Sequence, residues 1–448
     1  MKRSTNSRAG TPQRRRTALA TVLAGSLFIA ACGGDDGQSS GTDSPGTDAP
    51  LASEAPMGSE APAADDASPP TGEELVIGLV NTEGGAGGLD FPDIRRFMEA
   101  AVEYSNQNGG LGNRPVKLES CIVKGNPETS QACAQELVGK NVDLILLGLD
   151  LFPDYKTYEA AGIPIIGVLP ILPPDYSANA LFLTGGNATS QAASAALAKE
   201  YFKATKVGII HADNAGANST AASLEAALDI AGIQWKAVKG GDNETDAGFQ
   251  GLMRQAVEDD PDVLVSLYSD AGCIGTMRAR ASLGITIPVI TTNICADKDV
   301  LDAVGDDATG WYFAGLTEER ATPEQAILKK TLAPVMGIPE EEVTAASLGL
   351  GGLGYLMWMS LVDYGQKMLD QGIELTGESL YSFLKTETGL YLFGGVTPIA
   401  CGSNPNYPSV CSFVFPFGTY LGDGKTGPIA DLESVTGSAL IDSSPYLP

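Results

Sequence analysis

His211 is the only histidine among 448 residues, and that alone narrows the chemistry open to this chain. A serine nucleophile needs a base that is itself held by an acid, and His211 is the one candidate base. It closes an apolar run at 207–211 and is followed by Ala212 and Asp213, a strand-end position where an imidazole is ordinarily structural. The cluster Gly84-Gly85-Ala86-Gly87-Gly88 lies between a strand-like run and a helical pattern, where a phosphate-cradling loop would stand. It lacks a third glycine at Asp90 and the Lys-Ser/Thr pair of a nucleotide loop, so it reads as backbone able to approach a ligand closely. With a single histidine and no Cys-x-x-Cys pair, no metal site is expected. No catalytic constellation stands out, and neither an enzymatic activity nor a cofactor is expected.

The seven cysteines divide into one and six. Residues 1–31 carry Lys2, Arg3, Arg8, Arg14, Arg15 and Arg16 without an acid, and the stretch 17–31 is uncharged. This is the pattern of an export signal; as a helix the uncharged stretch reaches only about 22 Å, short of the roughly 30 Å hydrocarbon core of a bilayer. Arg14-Arg15 is compatible with the twin-arginine route as well as the general one. Ile29-Ala30-Ala31-Cys32 resembles the lipobox of bacterial lipoproteins, which implies cleavage after residue 31, lipid on Cys32 and attachment to the outer face of the cell membrane. Residues 33–72 hold eight acids and no Lys or Arg; such a segment cannot offset its ordering entropy, so 32–72 is expected to be a solvated tether. The remaining Cys121, Cys133, Cys273, Cys295, Cys401 and Cys411 form an even set, suited to an oxidising compartment. Short loops favour pairing Cys121 with Cys133, Cys273 with Cys295 and Cys401 with Cys411.

The formal charge is −27, from 55 acids against 28 basic residues. Nucleic acid is not an expected partner, because phosphate binding needs a basic face; solubility outside the cell accounts for the excess acid. Residues 73–448 are too many for one small core. Strand-like runs at 75–80, 116–121, 142–149 and 163–169 alternate with helical patterns. Ile94, Phe97, Met98, Ala101 and Val102 mark one such pattern over 94–108, stopped by Gly109-Gly110. The alternation restarts with a helix over 189–204 and strands at 207–211, 233–238, 263–268 and 287–291. A strand-like 310–315, a long helix over 345–369 and a hairpin stapled by Cys401 and Cys411 complete the chain.

These alternations predict an α/β architecture of two similar lobes, each a mainly parallel sheet flanked by helices. Lobe 1 is expected at 73–186 and 318–395, and lobe 2 at 187–317 and 396–448. In open α/β sheets ligands sit beyond the carboxyl ends of the strands, so facing lobes converge their loops on one cleft. Asn81, Asp150, Leu169, Asn214, Tyr268, Asp270 and Asn293 stand at those ends, offering a few polar groups and an aromatic face among apolar neighbours, as pockets do.

Several segments together resemble the solute-binding proteins of the type I periplasmic fold that serve ABC importers of branched-chain amino acids and amides. They are Val76-Ile77-Gly78-Leu79-Val80, Gly109-Gly110-Leu111-Gly112-Asn113-Arg114-Pro115-Val116, Ala161-Gly162-Ile163-Pro164, Lys206-Val207-Gly208-Ile209-Ile210 and Leu283-Gly284-Ile285. The resemblance implies a monomer of two hinged lobes that close over a small solute and dock on a membrane permease. A receptor that binds a solute without transport is the second reading. Where amino-acid-binding members carry a serine in the third loop and a Ser or Thr in the fourth, this chain has Leu149-Asp150-Leu151-Phe152 and Leu169-Pro170-Ile171. Their Tyr-Gly pair appears as Ala215-Gly216, and the glutamate that holds the ligand ammonium appears as Asn293. These exchanges point to a less polar solute, such as an amide, a short carboxylic acid or an aromatic compound, with Asp150 or Asp270 as replacement carboxylates.

Overall fold

A computed structural model describes residues 68–85, 90–315 and 322–448, without the side chains of Ala215 and Asp270. The export signal, Cys32, most of the tether, residues 86–88 of the glycine cluster and the expected lobe limits at 317 and 318 lie outside the described residues.

Strands buried on both faces read as unbroken apolar runs, and two of them set the plan of the molecule. Every residue of β3 (Leu144–Leu147) is buried at the centre of a first parallel sheet. Around it stand β1 (Leu75–Thr82), β2 (Val116–Val123), β4 (Ile165–Gly167) and β5 (Leu181–Phe182), in the order β2-β1-β3-β4-β5. After α4 (Gly186–Glu200) the chain repeats the same winding with β6 (Lys206–Ala212), β7 (Gln234–Gly240), β8 (Val263–Leu267), β9 (Val289–Thr292) and β10 (Trp311–Ala314), in the order β7-β6-β8-β9-β10. Here β8 is the fully buried strand. Two antiparallel strands from the C-terminal region, Phe417–Gly422 and Lys425–Pro428, extend this second sheet beyond β10.

Helices cover both sheets because each presents one apolar stripe. In α1 (Pro92–Gln107) the residues Ile94, Phe97, Met98, Ala101 and Val102 are buried, as their spacing predicts. The helix ends where Gly109 and Gly110 take positive φ, +92° and +70°. A Cβ on Gly110 would overlap the Arg114 carbonyl oxygen, which closes a tight turn with Leu111. Asn106 then clips the turn to β2, its amide pairing with both backbone groups of Val116 at 2.8 Å.

The long helix expected over 345–369 is broken. α10 (Ala345–Leu348) stops at Gly349, whose φ is +49°; a 3-10 turn follows, and α11 (Gly352–Asp370) carries the rest. Among the described residues this stretch alone is long and apolar enough to cross a membrane. It is instead the main packing helix of the first lobe, with Tyr355, Trp358, Leu361, Tyr364 and Met368 buried against α1 and the sheet.

All three disulfides pair as loop length predicts: Cys121–Cys133, Cys273–Cys295 and Cys401–Cys411. The third does not staple a hairpin, because the residues between its cysteines form turns and spend their backbone groups on the first sheet. The Phe182 N–H donates to the Ser409 carbonyl at 2.7 Å and the Cys411 N–H to the Phe182 carbonyl at 2.9 Å, adding the loop to the open edge at β5. Ile399, Cys401 and Cys411 consequently belong to the first lobe's core, whereas Phe415, Phe417 and Ile441 belong to the second's. The last crossing between lobes therefore comes after Cys411, not at residue 396.

Candidate functional site

The carboxyl end of β1 is fastened to that of β3 by side chains that would otherwise be free. Asn81, fully buried, accepts a hydrogen bond from the Leu149 N–H (3.1 Å) and donates to the Phe91 carbonyl (2.8 Å). Gly148 leaves room for it, since a Cβ there would crowd the Asn81 amide oxygen at 2.6 Å. Thr82 follows, donating its hydroxyl to the Leu149 carbonyl at 2.7 Å. These bonds fix two loops at one end of the first sheet.

That end faces the corresponding end of the second sheet across a cavity of about 360 Å³. Leu149, Leu151, Leu169 and Ile171 line it from the first lobe, and Thr292, Asn293, Ala314 and Gly315 from the second. Leu353 and Leu356 of α11 and the crossover residues Ser412 and Phe415 close it further. No Asp, Glu, Lys, Arg or His stands among the described residues that line it. A smaller cavity of about 130 Å³ adjoins it through Asn293, Leu353, Leu356 and Thr397 and extends to Glu324 and Gln325. The crossings between lobes lie beside the site: a Cβ on Gly186 would overlap the Pro170 carbonyl, and one on Gly185 would crowd Thr189 and Ser412.

Of the residues singled out from sequence, Leu169 and Asn293 line the cavity. Asn81 supports it from behind. Asp150 is buried one step away, its Oδ1 accepting from the Ser130 hydroxyl (2.7 Å) and the Phe152 N–H (3.0 Å). Burial raises its carboxyl above the usual range, as it does for Asp175, which accepts from the Tyr155 hydroxyl at 2.7 Å. Asn214 is drawn off by helix capping: its side chain accepts from the Ala217 N–H at the start of α5 (Ala215–Ala231) and donates to Asp242. Tyr268 packs edge-on against Phe249 in the second lobe's core, beside the Cys273–Cys295 bridge. Asp270 opens α7 (Asp270–Ser282), but its side chain lies outside the described residues. His211 is buried, with Nδ1 at 2.9 Å from the Ala212 carbonyl.

The strand-end rule missed the contributions of α11 and of the crossovers. Leu350, Leu353 and Leu356 repeat every third residue on the cavity side. Their spacing shows an apolar face but not that these residues border a cavity.

A sequence model of the periplasmic binding protein family matches residues 74–397. No curated protein matches the chain. Among solved structures, an ABC transporter substrate-binding protein from Sphaerobacter thermophilus is similar at 20% identity and a TM-score of 0.63, over 79% of this chain and 96% of that one. A leucine-binding protein from Thermotoga maritima matches at 13% identity and 0.59, over 82% and 99%. A solute-binding protein from R. palustris in complex with 4-hydroxybenzoate matches at 17% and 0.57, over 79% and 95%. Each has the two-lobed α/β fold described above.

Proposed function

Because the chain belongs to the periplasmic binding protein family, a family of binders rather than enzymes, we propose that it is the extracytoplasmic solute-binding subunit of an ABC importer. It captures a small organic solute between its lobes, closes over it and presents it to a membrane permease. The solute is branched-chain amino-acid-like, an amide, or a less polar carboxylate or aromatic compound; relatives of this fold include a leucine-binding protein and one holding 4-hydroxybenzoate. The observation that carries the reading is the cavity walled by the carboxyl ends of both sheets. A ligand held there touches both lobes at once, so its binding energy favours the closed arrangement.

In this reading lobe 1 comprises residues 73–186 and 322–411, and lobe 2 comprises 187–315 and 412–448. Leu169 and Asn293 contact the solute, while Asn81 and Asp150 shape the wall behind it. The protein works as a monomer, exported and held at the membrane through lipid on Cys32. The test is to purify the mature chain, release any bound molecule by denaturation and identify it by mass spectrometry. Adding that molecule back should raise the melting temperature and lower the radius of gyration measured by X-ray scattering. Absence of any bound or stabilising solute, or binding without compaction, would count against it. Binding and compaction without loss of uptake in a deletion strain would favour the receptor alternative.

A further inference from the structure

We infer that the solute is electrically neutral: a small, largely apolar molecule carrying an amide, carbonyl or hydroxyl group rather than a carboxylate, an ammonium or both. The inference rests on the binding reading above and narrows it. Three observations carry it. The first is the wall itself, built from Leu149, Leu151, Leu169, Ile171, Leu353 and Leu356, which rewards burial of hydrocarbon. The second is charge. An ion moved into a cavity without a counter-charge gives up hydration that nothing replaces, and no charged side chain stands among the described lining residues. Asp150, between the lining residues Leu149 and Leu151, is 4% exposed and bonded to Ser130 and Phe152. Glu324 borders only the smaller adjoining cavity.

The third observation is the direction of the hydrogen bonds. A carboxylate accepts only and must be met by donors. In this cavity four of the side-chain donors already have acceptors within the protein. The Thr82 hydroxyl donates to the Leu149 carbonyl, the Thr184 hydroxyl to the Val168 carbonyl and the Ser412 hydroxyl to the Pro398 carbonyl. The Asn187 amide donates to the Thr220 hydroxyl at 2.8 Å. Each of these hydroxyls keeps lone pairs for a solute N–H or O–H, and the Ser190, Thr292 and Thr397 hydroxyls that also line the cavity can donate to a neutral carbonyl. Asn293 adds an amide with both a donor and an acceptor, which suits a neutral amide or carbonyl.

The experiment uses compounds that share a skeleton and differ in charge. The mature chain is titrated calorimetrically at pH 7 with 4-methylpentanamide, 4-methylpentanoate and leucine, and with benzamide and benzoate. Within whichever skeleton binds, the neutral member should bind at least tenfold more tightly than its charged counterparts. Equal or tighter binding of the anion or zwitterion overturns the neutral assignment while leaving the binding function standing. If no member binds, the molecule released from the denatured protein decides: one uncharged at pH 7 supports the assignment, and one ionised at pH 7 overturns it. If nothing binds and nothing is released, the binding reading itself fails and the assignment falls with it.

Discussion

Asp150 shows how a residue can be conspicuous in sequence yet serve the wall of a site rather than its surface. It is buried, and its carboxyl is raised because burial disfavours the charged form more than its two hydrogen bonds favour it. For an acid whose folded value lies above the unfolded one, near 3.9, the group contributes stability that is fully present below the unfolded value. That contribution is lost as pH rises through the folded value. The substitution Asp150→Asn keeps a side-chain oxygen to accept from Ser130 and Phe152 but leaves no proton to lose. The stability of Asp150→Asn minus that of the wild type is therefore expected to grow more favourable from pH 4 to pH 8, read from urea unfolding at each pH. A difference independent of pH would show that Asp150 does not titrate differently in the folded protein. Leu169 and Asn293 were visible as cavity residues because they sit at strand ends on the facing edges. Asn214 and Tyr268 satisfy the same positional rule, but a helix cap and an aromatic pair claim them, and sequence position does not reveal such competition.

At the scale of elements, close approach and covalent closure make opposite demands on small residues. Gly354 lies where α11 meets α1, and a Cβ there would overlap the Ile94 carbonyl oxygen. Gly139, at the end of α2 (Pro127–Gly139), has open space around it. Gly354→Ala should thus lose about 1–3 kcal/mol through overpacking, whereas Gly139→Ala should gain about 0.4–1 kcal/mol by restricting the unfolded chain; denaturant melts of the two variants should move in opposite directions. The bridge Cys273–Cys295 closes 22 residues and ties α7 to the 3-10 turn Asn293–Ala296. Replacing both cysteines by alanine should cost about 2–4 kcal/mol in guanidinium unfolding. It should also weaken solute binding, since the freed turn carries Asn293. The strands other than β5 and the two C-terminal antiparallel ones, the stop of α1 at Gly109-Gly110 and the cysteine pairs were legible because each follows from local periodicity, turn chemistry or loop length. The break at Gly349 and the return of residues 398–411 to the first sheet were not, because both depend on partners far away in sequence.

At the scale of the molecule, what the sequence yields is the repeated winding: two runs of alternating strands and helices fold into two sheets with the same strand order. The cleft follows from that repetition, while its lining depends on α11 and the crossovers, which the repeat does not specify. The cysteine balance belongs to this scale too. Three bridges consume six of seven cysteines, so the proposed lipid on Cys32 takes no cysteine from the folded part of the chain. Residues 33–72, acidic and poor in apolar side chains, have the composition of a tether; in the proposed arrangement such a segment would keep anchoring separate from folding. Cys32→Ser, expressed in a bacterial host with its export signal, should move from the detergent-rich phase to the aqueous phase on detergent partitioning. Its melting temperature and its affinity for the solute should stay those of the wild type. Retention of Cys32→Ser in the detergent phase would remove the lipid anchor from the reading. A fall in melting temperature would instead tie Cys32 to the fold and count against its separation from the folded part.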